Sequence, residues 1–215
     1  MRILFIGNSH TYANGLPFQV RAMIDSTEGE GTCEAHMITP GGKSLEWHAR
    51  EPGTQQMITC NAWDTIVLQQ QTHPFPPYAE LEAAYDKLKR RLERAGAEVL
   101  LYVTWSRKGQ PEDQVEIDCA FEKLAAKEGC AVVPVSTAWH RVLAELPDVD
   151  LYRADGSHAG PAGTYTAACV FYSVLIGESP EGVPACIEAG GETLVDLDAD
   201  VAVTIQRIAW EVVQP

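Results

Sequence analysis

No apolar stretch of this sequence is long enough to cross a bilayer. The longest, at residues 98–105 and 167–176, fall well short of the roughly 18 to 20 residues required, so no membrane span is expected. No export signal is expected either: the apolar Ile3-Leu4-Phe5-Ile6 is too short for a signal core and runs at once into polar residues without a small-residue cleavage site. A cytoplasmic protein is the expectation. CxxC pairs are absent among the six cysteines, and Cys119, Cys130 and Cys169 fall within apolar patterns, so these read as reduced thiols packed as small core residues. Basic residues are scarce. With 16 Lys and Arg against 30 Asp and Glu the formal net charge is −14, which repels phosphate backbones at long range and disfavours nucleic acid as a partner. A small uncharged ligand is easier to reconcile with that field. None of the six histidines shows metal-ligand spacing, so no metal is expected, although His10, Asp155 and His158 could meet in space.

What remains is a 215-residue chain, 46% hydrophobic and 21% charged, the proportions of one globular domain spanning 1–215. A chain of this length buries roughly 70% of its unfolded surface and needs no staple. Short apolar runs at residues 2–6, 35–38, 65–69, 99–103 and 131–135 read as five strands, buried on both faces in the manner of a parallel sheet. Segments of helical period separate them. The clearest follows Pro76-Pro77, where Leu81, Tyr85, Leu88, Leu92 and Ala95 form one stripe that Gly96 stops. Residues 16–24, 115–126, 137–146, 162–176 and 199–213 pass the same test, and the Gly/Pro-rich stretch 177–191 reads as a long surface loop. Such alternation predicts an α/β fold with a mostly parallel sheet covered by helices on both sides.

Ligands of such sheets gather at the carboxyl ends of the strands, and four polar segments fall there. The first strand runs into Gly7-Asn8-Ser9-His10-Thr11, a turn that delivers Ser9 near the start of a helix as a candidate nucleophile. Taken alone, a serine in such a turn is more commonly a capping or turn residue. Toward the other end stands Asp155-Gly156-Ser157-His158, in which an Asp three residues before a His can orient the ring through Nδ1 and leave Nε2 free as a base. An Asp-Gly turn with capping polar groups suits these residues equally well on local grounds. Together the two segments give the order Ser9, Asp155, His158 on one α/β scaffold.

Gly42, in Pro40-Gly41-Gly42-Lys43-Ser44, can offer its amide to an oxyanion, as can that of Ser9; it can as well be a tight-turn glycine. The run Gln69-Gln70-Gln71-Thr72-His73 could supply a third donor. Gln69 and then Gln71 are favoured because they share one strand face, with satisfaction of buried loop carbonyls as the alternative. His10 beside Ser9, His73 after the glutamine run, and Trp105 at the end of the fourth strand are candidates for touching substrate, with simple packing as the other reading for Trp105.

These residues resemble the SGNH, or GDSL-like, hydrolases and esterases. Gly7-Asn8-Ser9 stands where that family has its first-block Gly-Asp-Ser, Gly42 matches the second-block glycine, and Asp155-Gly156-Ser157-His158 matches the final Asp-x-x-His. The resemblance spans nearly the whole chain. It implies a three-layer α/β/α, flavodoxin-like fold, a Ser-His-Asp triad, no metal or organic cofactor, and a short-chain ester, acetyl before others, of a carbohydrate or other small alcohol as substrate. The third block departs from the pattern: Gly-x-Asn-Asp is replaced by the glutamine run, and counting from Asp64 puts His73 where the asparagine stands. A different class stays open beside it, because flavodoxin-like proteins hold the phosphate of FMN on a Ser/Thr turn after the first strand, and a hydrolase fold can serve binding alone. The Asp-x-x-His has no use in the first of these, and the intact Ser9, Asp155 and His158 argue against the second.

Overall fold

The computed structural model describes residues 1–214. Five parallel strands, β1 (Arg2–Ile6), β2 (Glu34–Ile38), β3 (Thr65–Gln69), β4 (Glu98–Tyr102) and β5 (Ala131–Val133), form a sheet in the order β2-β1-β3-β4-β5. All four pairings are parallel. This is the 2-1-3-4-5 order of flavodoxin-like sheets, whose direction of winding reverses between β1 and β3.

The helices are α1 (Ser9–Tyr12), α2 (Leu16–Glu28), α3 (Leu45–Arg50), α4 (Pro52–Cys60), α5 (Tyr78–Ala95), α6 (Gln114–Glu128), α7 (Val135–Glu145), α8 (Pro161–Ile176) and α9 (Ala199–Val213). Because strand side chains alternate, each central strand feeds two cores. Ile3, Phe5, Val67, Leu100 and Tyr102 pack under α2, α7, α8 and α9. Leu4, Ile6, Ile66, Leu68 and Leu101 pack under α3, α4, α5 and α6. The result is three layers, with the five expected strands in place. Among the described residues, no helix is long and apolar enough to cross a membrane.

Four expectations need correction. The stretch 177–191 is not wholly loop: it contains β6 (Cys186–Ala189), which pairs antiparallel with β7 (Glu192–Asp196). Gly190 and Gly191, at φ 62° and 83°, form a two-residue connection in which both residues need positive φ, so the Gly-Gly pair was a legible hairpin signal. Secondly, two helices, α3 and α4, fill the β2 to β3 crossover, although both were missing from the helical segments picked out by period. Each has a readable start: Ser44 Oγ accepts from the Trp47 amide, and Pro52 opens α4. Thirdly, Cys119 is exposed and Cys130 only partly buried, so of the three cysteines assigned to the core only Cys169 lies there. Ile117, Ala120, Phe121 and Leu124 make the inward face of α6, which leaves Cys119 on the outer one. Finally, β2 is an edge strand with no fully buried residue, unlike the doubly covered strand its apolar run predicts.

Candidate active site

The site is assembled where β1 and β3 end. At the tip of β1, Gly7 donates its amide to Ile38 O across to β2, and its carbonyl accepts from His48 Nε2 at 2.8 Å. A carbonyl can only accept, so Nε2 of His48 carries the proton and Nδ1 is left to take the Thr54 hydroxyl at 3.1 Å. His48 is wholly buried, and burial lowers its pKa. A side chain at position 7 would drive Cβ to 2.5 Å from both Gln69 Oε1 and Thr11 Oγ1, which is why glycine precedes the turn.

Asn8 caps α1. Its Oδ1 accepts from the His10 amide at 3.0 Å, its Nδ2 donates to Lys43 O at 3.0 Å, and its own amide donates to Gln69 Oε1 at 2.8 Å. Ser9, the first residue of α1, is thereby fixed with its hydroxyl outward and partly exposed.

Across from it the 155–158 loop closes on the bridge between Tyr152 and Ala159. Asp155 Oδ1 accepts the amides of Ser157 and His158, each at 2.9 Å, and Oδ2 lies 2.6 Å from His158 Nδ1. The other ring nitrogen, Nε2, is 2.8 Å from Ser9 Oγ. An ionised carboxylate has no proton to give, so His158 holds its proton on Nδ1 and presents the Nε2 lone pair to the serine hydroxyl. The His158 hydrogen bond, followed by those of the two amides, pulls the Asp155 carboxyl well below the usual carboxylate range. Ser9, His158 and Asp155 are thus brought together in the order that the sequence suggests.

The loop has further anchors. Ser157 Oγ lies 2.7 Å from His73 Nδ1, and Ser157 O accepts from Trp105 Nε1 at 2.8 Å. His73 Nε2 donates to Trp105 O at 3.1 Å, so its Nδ1 is the acceptor for the serine. Burial, with Arg107 nearby, lowers the His73 pKa to about 4. Asn14 ties α1 to the same loop by donating to Ala159 O and to Thr164 Oγ1, both at 2.8 Å. Asn14 was missed in the sequence; its only signal was the Asn-Gly pair, and Asn14 does take a left-handed φ of 49°.

The remaining sequence candidates fall in different places. Gly42 sits at φ 68° in a Pro40 to Lys43 turn, as the tight-turn reading has it, and its N–H has no partner among the described residues. Gln69 is spent: Oε1 accepts from Asn8 N and, at 3.2 Å, from Thr11 Oγ1, while Nε2 donates to Gln70 O. It holds the Ser9 turn and is wholly buried, with one of its two amide hydrogens on Gln70 O, so it does not face the open side of the site. Gln71 is partly exposed, and its side-chain amide makes no hydrogen bond among the described residues. His73 is likewise removed as an oxyanion donor, because both its nitrogens are taken. Trp105 is 0% exposed and stacked on Trp139 at 3.8 Å, so it braces the 155–158 loop and does not wall a pocket. His10 is buried too, at 7% exposure, with its ring against His158 and not in an open cleft. The hydroxyls that a phosphate cradle would turn to FMN meet other partners, Ser9 with His158 and Thr11 with Gln69.

No family model matches the chain, and no curated protein matches it. Solved structures do. A DUF4886 family protein from Bacteroides uniformis is 20% identical, with 99% of this chain and 94% of that one covered at a TM-score of 0.75. An acetyl xylan esterase is 16% identical over 81% of this chain and all (100%) of its own, with a TM-score of 0.68. A member of the lipolytic G-D-S-L family from Veillonella parvula is 15% identical, covering 82% of this chain and 97% of that one, with a TM-score of 0.56. The shared architecture is that of the SGNH, or GDSL-like, hydrolases, and this chain has their three-layer fold.

Proposed function

We propose that the protein is a serine ester hydrolase with Ser9 as nucleophile, His158 as base and Asp155 as the group that orients the base. The observation that carries this reading is the relay of 2.8 Å from Ser9 Oγ to His158 Nε2 and 2.6 Å from His158 Nδ1 to Asp155 Oδ2. In this reading the serine oxygen attacks the ester carbonyl as its proton passes to Nε2, and Asp155 steadies the imidazolium that forms. The tetrahedral oxyanion is met by the amides of Ser9 and Gly42, and by Gln71, whose side-chain donor is free. His158 then returns the proton to the departing alkoxide. Water, deprotonated by the same imidazole, releases the acid from Ser9.

The proposed substrate is a short-chain ester, with acetyl favoured, of a carbohydrate or other small alcohol. The fold shared with an acetyl xylan esterase supports it, as does the net charge of −14, which sits more easily with an uncharged substrate. We assign the alcohol to the cleft of about 350 Å³ bounded by Ser44, Gln71, Pro74, Phe75 and Glu80, because Ser44 adjoins the Gly42 turn.

The test is hydrolysis of 4-nitrophenyl acetate and butyrate by the wild type and by Ser9→Ala, with mass spectrometry of the protein after fluorophosphonate treatment. Rates lost in Ser9→Ala by about 10⁴-fold or more, with the label on Ser9, are expected. Equal rates in both proteins, or a label elsewhere, would reject Ser9 as the nucleophile.

A further inference from the structure

Two hydrogen bonds grip the edge of the His158 ring, one at each nitrogen. They act in the plane of the ring, so motion out of that plane through χ1 and χ2 is resisted mainly by whatever packs on its faces, and the side chain is 32% exposed. Something must cover a face. The His10 ring does so, with centroids 5.1 Å apart and planes inclined by 22°, within the range of offset aromatic stacking. His10 is itself immobilised. Its amide is bonded to Asn8 Oδ1, its carbonyl accepts from Tyr102 OH at 3.4 Å, and the His73 and Trp105 rings lie at 5.0 and 5.6 Å.

The nitrogens of His10 do little. Nε2 is buried with no well-formed hydrogen bond among the described residues, Nδ1 lies 3.4 Å from Asn8 Oδ1, too long for a good hydrogen bond, and a ring contact to the Ser157 backbone offsets only part of the lowering of its pKa. We propose that His10 is a positioning residue for His158: its flat ring stops the base from tipping away from Ser9, and the planar face matters, not the nitrogens. The catalytic consequence rests on the serine hydrolase reading above; the packing itself does not.

The neighbourhood also keeps this brace uncharged. Burial, then the charges of His73 and His158, lower the His10 pKa to about 3, so at neutral pH it sets no positive charge against the imidazolium that forms on His158. The titratable and charged groups facing the stack are Asp155 on His158, Arg107 and Asp113 beside His73, and the Tyr102 hydroxyl under the His10 carbonyl.

The deciding experiment compares wild type, His10→Ala and His10→Phe by NMR titration of the His158 ring, which needs no substrate, and by kcat and KM on 4-nitrophenyl acetate. In His10→Ala, water should reach the uncovered face and favour the charged ring, moving the His158 midpoint upward by about half a pH unit or more. Its kcat should fall about 10- to 100-fold with little change in KM. His10→Phe should restore the wild-type midpoint and most of kcat. Should His10→Ala not fold, His10→Ser, which also leaves the face open to water, takes its place with the same expectations. A wild-type midpoint in the Ala or Ser variant overturns the proposal, as does a Phe variant impaired as much as Ala. If the wild type hydrolyses no ester, the hydrolase reading fails by itself, and the titration still decides whether His10 braces His158.

Discussion

The polar segments that follow β1 and β3 lie side by side, since the two strands pair up to Ile6 and Leu68, yet they use their side chains in opposite ways. After β1 the Asn8 and Thr11 side chains pin the turn together with Gln69, and the Ser9 hydroxyl alone is left to point at His158. After β3 the side chains turn inward: Gln69 grips the Ser9 turn, Gln70 Oε1 accepts the amides of Leu45 and Gln71, and His73 clamps Ser157. One segment presents a reactive group and the other builds its mount. A buried amide at the edge of a sheet is therefore not evidence of an oxyanion donor until its own partners have been counted.

The comparison breaks hardest on the presenting side. Asp155→Asn keeps the size of the side chain but replaces an acceptor-only group with one that can favour the wrong His158 tautomer, and about a 10⁴-fold loss of turnover is expected on the precedent of triad chemistry. Steady-state kinetics at pH 7.5 with 4-nitrophenyl acetate checks this. A loss of less than tenfold would mean that the Ser157 and His158 amides, which also fix the loop, orient the base without the charge.

Gln69 and Gln71 sharpen it further, because they are two residues apart and were ranked together as donors. Gln71→Leu should cost about 100- to 1,000-fold in kcat, if the free amide meets the oxyanion, while leaving the unfolding midpoint unchanged. Gln69→Leu should do the reverse. It strands the Asn8 amide and the Thr11 hydroxyl, destabilises the protein by about 1–3 kcal/mol, and slows turnover about 10- to 100-fold through a displaced Ser9. Urea unfolding and kinetics on both variants separate the two roles, and matching profiles would erase the distinction.

Much of this was legible in the sequence for physical reasons. The five strands are short apolar runs, and Ser9, Asp155 and His158 stand in short cassettes whose local geometry is nearly determined by spacing: Asp155 meets two amides within three residues of itself. What was not legible depends on contacts between distant segments. That Gln69 turns inward is decided by Asn8 and Thr11, some sixty residues away, which both donate to its Oε1, and the Trp105 role by Trp139 and Ser157. Period arguments likewise pass over α3, which has six residues and little room to show a stripe.

The smallest effect concerns the cost of the mount itself. His10 and His73 are folded as neutral rings, with pKa values of about 3 and about 4 against 6.5 when unfolded. Above pH 6.5 neither state is charged and the term vanishes. As pH falls below 6.5 the unfolded chain takes up protons that the folded one refuses, so stability drops, for His73 until about pH 4 and for His10 until about pH 3. Asp155 has the sign of a depressed carboxylate, and its contribution is lost only below the ordinary carboxylate range. Between about pH 6.5 and 5.5 the slope is therefore mainly that of the histidines, with His48 and His140, also lowered by burial, adding to it. Toward about pH 4.5 the paired carboxyls of Glu34, Glu46, Glu82, Glu128, Glu145 and Glu211, all held low, add the same sign. Urea unfolding across that interval should show stability falling with acid, and His10→Phe should flatten the slope by about one proton, or roughly 1.4 kcal/mol per pH unit. An unchanged slope in His10→Phe would mean that position 10 accepts its proton in the folded state, and that the ring behind His158 is a second base and not part of its support.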